Sequence, residues 1–276
     1  MNYQNRASST NPALVVFLID ISGSMAAKMP DGRPRHVVVQ DALQVAISKL
    51  VQNSFQSGQV RPRYRLLVLA YSEEIWDIFG GIKYISDEEF NITELPPMTK
   101  TNPAAALEHV REVLAEDIAK WSDEHLRYCP APVVIHLTDA EVSENFEDPE
   151  PVAEQIRQLK VPDGNVLLTN IYISPYLKIN AENFSEWEGF YPEDSSGDVF
   201  GDKLLRMSSP LPEAYHEALK EDGHAGLKPG TLMFYPGINA DFIKGGLVVS
   251  GASRVADARA YKDEAAPERG RDVYPE

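Results

Sequence analysis

Leu14-Val15-Val16-Phe17-Leu18-Ile19 is an unbroken apolar run that ends on Asp20, with Ser22 and Ser24 following at steps of two. A strand that is apolar at every position has no solvent face, so it belongs at the centre of a parallel sheet covered on both sides. If the backbone stays extended past the strand end, residues two apart point the same way. Asp20, Ser22 and Ser24 then present one carboxylate and two hydroxyls to a single point. Such hard oxygen donors suit magnesium, calcium or manganese rather than zinc. A capped strand-to-helix turn without a ligand is the alternative reading of a bare D-x-S-x-S. The context favours a site: a buried strand precedes the motif, a helical pattern follows it, and open α/β sheets bind ligands at strand carboxyl ends.

The rest of the chain supplies that sheet. Arg65–Tyr71, Pro132–Thr138 and Asn165–Ser174 read as further buried strands, and Thr231–Tyr235 as a last one. Helices are expected over about 35–53, with Val38, Ala42, Val45 and Leu50 inward, and over about 150–160 and 211–221. Asn102 and Pro103 form a cap and first turn for another helix, whose face is Leu107, Val110, Leu114, Ile118 and Trp121. Residues 239–250 read as a final helix or an apolar closing segment. Ile75–Phe79 lies across from Ile82–Ile85 over Gly80-Gly81, as a strand and turn at a sheet edge. The alternation predicts a doubly wound, mostly parallel sheet with helices on both faces and one antiparallel edge strand. Residues 1–12 read as a flexible arm, 13–251 as one domain with an insertion at 175–201, and 252–276 as a disordered tail of mixed charge.

Composition narrows the function. A net charge of −16 argues against nucleic acid and anionic membrane surfaces as primary partners. No apolar run approaches the roughly 18 residues of a membrane span. Met1–Pro12 lacks the basic-then-apolar layout of a signal peptide. The single cysteine, Cys129, makes no internal disulfide, which suits a reducing compartment, with the cytoplasm as the default.

Two further residues complete the pattern: Thr101, shortly ahead of Ala105-Ala106-Leu107, and Asp139 in Leu137-Thr138-Asp139-Ala140. With Asp20, Ser22 and Ser24 they resemble the von Willebrand factor A (vWA) domain family and its metal-ion-dependent adhesion site (MIDAS). Thr99 is a weaker rival for Thr101, and Ala140 stands where the family usually has glycine. The resemblance implies that Ser22 and Ser24 bind the metal directly, and that Thr101 does so directly or through water. Asp20 and Asp139 act largely through water. It implies Mg2+, with Mn2+ or Ca2+ as alternatives, in a loaded site near neutral charge whose open position takes an acidic side chain from a partner protein. Because the two aspartates sit at strand ends, their loss is expected to spare packing. Overall similarity, including Ser208-Ser209-Pro210-Leu211-Pro212, extends to stand-alone bacterial vWA proteins of tellurite and toxic-anion resistance, stress and phage-defence systems. Those occur alongside kinases, phosphatases and AAA+ ATPases.

Enzymatic readings fit less well. A nucleophile elbow needs glycine two residues either side of Ser22, where Asp20 and Ser24 stand. An aspartyl-phosphate mechanism on Asp20 wants a second acid where Ser22 is. A metal-dependent phosphohydrolase using the same cluster is the alternative. His136 reads as a satisfied core histidine. In the insertion, Trp187, Phe190 and Tyr191 are candidate apolar anchors for the partner; the competing reading is a structural flap packed onto the body.

Overall fold

Strand β1 (Ala13–Asp20) is buried at all eight positions, and the sheet is registered on it. In the computed structural model, the described residues are 3–251 apart from 88, 93–94, 142–145, 222–223 and 225. The expected disordered tail, 252–276, lies outside them. After β1 come α1 (Arg35–Ser54), a short hairpin β2 (Phe55–Gln56) and β3 (Gln59–Val60), and β4 (Tyr64–Tyr71), buried throughout. Then follow β5 (Ile75–Asp77), β6 (Lys83–Tyr84), α2 (Pro103–Lys120), α3 (Asp123–Leu126) and β7 (Val133–Thr138). α4 (Glu150–Gln158), the hairpin β8 (Lys160–Val161) and β9 (Gly164–Asn165), and β10 (Leu167–Tyr172) come next. The described residues end with α5 (Val199–Met207), α6 (Glu213–Glu221), β11 (Phe234–Pro236) and α7 (Ala240–Gly251).

The main sheet runs β11-β10-β7-β1-β4-β5, and β6 also pairs with β4. Every pairing from β11 to β4 is parallel, while β5 and β6 are antiparallel to β4. This is a vWA/Rossmann-like α/β fold. Side chains alternate between two cores. Val15, Phe17 and Ile19 face α1 and α7, and Leu14, Val16 and Leu18 face α2, α4 and α5. Asp20 ends its strand level with Tyr71, Leu18 is level with His136, and His136 with Asn170. Four polar side chains therefore share the α2/α4/α5 face.

Several expectations are corrected. Ile75–Phe79 and Ile82–Ile85 do not pair with each other; both lie along the outer edge of β4, as two pieces of one edge strand. In α1, Val45 is 46% exposed, because the inward stripe passes through Leu43, Ala46 and Ile47 instead. α5 begins in the last residues of the 175–201 insertion and continues through Met207, a helix that the sequence reading did not place. The N-terminal arm is docked rather than free. The buried Asp163 carboxylate accepts the backbone N–H groups of Gln4, Asn5 and Ala131, and Ala7 is fully buried.

Candidate metal centre

The motif sits where β1 stops. Asp20 is fully buried, Ser22 nearly so and Ser24 partly exposed. Ser22 N–H donates to Asp20 Oδ1 at 2.8 Å, folding the chain back over the strand end. The hydroxyls of Ser22 and Ser24 stand 3.0 Å apart. The loop carrying Thr101 is laid against this turn by main-chain bonds, Met98 N–H to Ile21 O at 2.6 Å and Asn102 N–H to Ser72 O at 2.8 Å. Gly23 eases that approach, since a Cβ would lie 3.0 Å from Met98 O and 3.1 Å from Thr99 O, and the loop would have to give by a few tenths of an ångström. Asn102 caps α2 by accepting from Ala105 N–H. Thr101 is buried at the same end of the sheet, whereas Thr99, the rival, is exposed.

Asp139 follows β7, and two contacts that the sequence did not reveal order this loop. Arg35 Nη1 donates to Asp139 Oδ2 at 2.7 Å, both side chains being buried. The neighbouring Thr138 hydroxyl donates to Asp20 Oδ2 at 2.7 Å and accepts from Ala140 N–H at 2.8 Å, tying the two aspartate loops together. Ala140 takes a left-handed backbone, φ 61°, the conformation that glycine adopts without strain. The glycine-to-alanine departure therefore costs backbone strain rather than a ligand. The expectation that losing either aspartate spares packing is corrected: both are buried and each accepts internal hydrogen bonds. Burial, reinforced by nearby Asp139, pushes the Asp20 carboxyl up to about 6.

Behind Asp20 runs a polar seam. Asn170 Nδ2 donates to Leu204 O and Ser208 Oγ, leaving Oδ1 for His136 Nδ1 at 2.9 Å. His136 Nε2 is then the acceptor for the Tyr71 hydroxyl at 2.7 Å, while that hydroxyl approaches Asp20 Oδ2 at only 3.4 Å. Burial holds His136 down to about 4, so it is neutral at pH 7. The reading of His136 as a satisfied core residue stands, and its partners turn out to lead to the site.

The residues fit a magnesium-class ion. Two adjacent oxygens of an octahedron with bonds near 2.1 Å stand about 3.0 Å apart, which matches the Ser22–Ser24 spacing. The buried carboxylates of Asp20 and Asp139, near enough to act on each other, add hard acceptors at the same strand ends. Among the described residues no group of three or more His, Cys, Asp or Glu gathers as a metal cluster; hydroxyls make up much of this donor set.

The insertion behaves differently from its expected role. Trp187 is 4% exposed and stacks edge-on against Tyr235 and Phe242. Phe190 packs on Phe234 and Trp187, and Phe190 O accepts from Leu232 N–H at 2.7 Å. Trp187 as an exposed partner anchor is therefore corrected, and Phe190 is largely turned inward; both line the β11 edge. Tyr191 remains partly exposed. The large apolar groups that face solvent around this segment are Tyr176, at 83%, Val199, at 75%, and Phe200, at 39%.

The chain has a vWA/Rossmann-like α/β fold, with the candidate residues gathered at the carboxyl end of its sheet. No protein-family model and no curated protein matches the chain. Among solved structures, proximal thread matrix protein 1 from the mussel byssus aligns at TM-score 0.51 and 15% identity, over 88% of this chain and 48% of its own. The pilus adhesin SpaC of Lactobacillus rhamnosus GG aligns at TM-score 0.52 and 10% identity, over 90% of this chain and 31% of its own. The chain thus spans less than half of either protein, and the likeness is one of fold. No helix among the described residues is long and apolar enough to cross a membrane.

Proposed function

We propose that this chain binds a partner protein through a divalent cation, Mg2+ by preference, held by Asp20, Ser22, Ser24, Thr101 and Asp139. The observation that carries the reading is the pair of hydroxyls 3.0 Å apart in the turn that follows the buried Asp20. Ser22 and Ser24 would contact the ion, and the carboxylates would orient and balance it. The ion supplies a cationic point for an acidic side chain of the partner, on a chain whose net charge of −16 otherwise repels acids. Tyr176 and Val199 offer apolar contact beyond the insertion's buried aromatics. A cytoplasmic role in a bacterial stress-resistance or phage-defence system, with kinase, phosphatase or ATPase partners, follows from the sequence resemblance alone.

Burial counts against one form of the phosphohydrolase alternative, that in which Asp20 is itself the nucleophile. A nucleophilic carboxylate must be reachable, and Asp20 is fully buried, accepting from Ser22 N–H and the Thr138 hydroxyl. The test is calorimetric titration of magnesium and manganese into the wild type, Asp20→Asn and Asp139→Asn, changes that keep side-chain size. Binding should weaken at least tenfold in both variants, with no magnesium-dependent phosphoester hydrolysis in any of the three. Equal binding by all three would defeat the assignment.

A further inference from the structure

Arg35 is the charged group that the motif does not contain. It is the first residue of α1, anchored by its N–H to Ala27 O at 2.8 Å, and its side chain turns inward onto Asp139. Only 9% of that side chain is exposed, and its Nε is buried without a hydrogen-bond partner among the described residues. A guanidinium stays protonated at any working pH, and burial leaves its charge poorly screened. The charge count of the site changes accordingly. Asp20 and Asp139 contribute −2, Arg35 brings the cluster to −1, and a divalent ion takes it to +1 rather than to neutrality.

Building on the metal-centre reading, we propose that Arg35 couples the two ligands of the site: it weakens the divalent cation bound alone and strengthens an acidic ligand bound to the loaded site. The cation meets a like charge and an Asp139 carboxylate with one oxygen already engaged. The loaded site carries a residual positive charge, which a single carboxylate neutralises. Each ligand then raises the affinity of the other by the same factor, as linkage requires. Neutral side chains such as Asn or Gln gain nothing from that residual charge, so Arg35 also selects for acids. The competing role, a fastener between the start of α1 and the loop after β7, would help metal binding instead of opposing it.

The experiment titrates manganese into the wild type with and without saturating glutamate blocked at both ends, which has one carboxylate. It is repeated on Arg35→Gln and Arg35→Lys, with melting curves to confirm folding. The wild type should bind manganese at least fivefold more tightly with the probe present, within the usual range of coupling. Arg35→Gln should bind manganese about tenfold more tightly than the wild type without probe, the order expected for removing one nearby charge, and its coupling to the probe should fall severalfold. Arg35→Lys should keep it. A wild-type affinity unmoved by the probe overturns the proposal without needing any variant. So does a loss of manganese affinity in both variants, which is the fastener's signature. A wild type that binds no manganese at all overturns the metal-centre reading, and this proposal with it.

Discussion

The two faces of the central sheet use the same strands and differ in what they bury. Toward α1 and α7 the inward residues are hydrocarbon along most of their length, Val15, Phe17 and Ile19 beside Val68, Ile135 and Ile171. Toward α2, α4 and α5 the hydrocarbon of Leu14, Val16 and Leu18 gives way at the carboxyl end to Asp20, Tyr71, His136, Thr138 and Asn170. Strand parity separates the tasks. The dry face holds the fold through area, and the polar face holds acceptors in place through hydrogen bonds. Burying those groups is tolerable only because each finds a partner.

The sharpest way to break this comparison is on the dry face. Phe17→Ala should destabilise the protein by about 3–5 kcal/mol, the usual cost of a large buried cavity, measured by denaturant unfolding. Manganese affinity of the remaining folded protein should change less than twofold. A parallel loss of metal binding would show that the faces are not independent.

On the polar face, His136→Leu regains apolar burial but leaves the Tyr71 hydroxyl and Asn170 Oδ1 without their partner. A net loss of about 2 kcal/mol is expected, within the range for buried groups left unsatisfied. Manganese affinity should fall severalfold, because the freed Tyr71 proton turns toward Asp20. Destabilisation with unaltered metal affinity would reduce the seam to packing.

The subtlest effect is in pH. The raised Asp20 carboxyl gives stability that is full below its ordinary 3.8 and lost as pH rises through about 6. The depressed His136 does the reverse: its contribution is full above 6.5 and lost as pH falls through about 4. Between about 4 and 6 the two oppose each other in the metal-free protein. Asp20→Asn removes one of them, so its stability relative to the wild type should decline as the medium is acidified across that window. Denaturant melts in chelator at several pH values check this, and parallel profiles for both proteins would refute it.

What the sequence disclosed follows the same division. Continuous apolar runs announced β1, β4, β7 and β10, and local spacing announced Asp20, Ser22 and Ser24, because both signals reside in neighbouring residues. Asn102 and Pro103 marked the start of α2 for the same reason. Arg35 was silent: it reads as the ordinary first residue of the helix expected from 35, and its partner lies 104 residues away. The seam was silent too, since the register that aligns Tyr71, His136 and Asn170 belongs to the folded sheet. Trp187 misled because an aromatic in an irregular segment reads alike whether it faces a partner or its own core. α5 was obscured by Gly201 in its first turn.

That buried aromatic segment has a consequence for the protein's behaviour in a crowded solution. β11 is short and borders the sheet, and a bare strand edge is a template for pairing with another molecule. Here the edge is blunted twice: Pro236 withholds a donor, and the insertion lies alongside, with Phe190 O taking up Leu232 N–H. Trp187 and Phe184 pin the segment to Tyr235 and Phe242. The insertion works as a selvedge, a finished border that keeps the weave from catching on its neighbours. The β11 border is thereby kept from pairing with the sheet edge of a second copy.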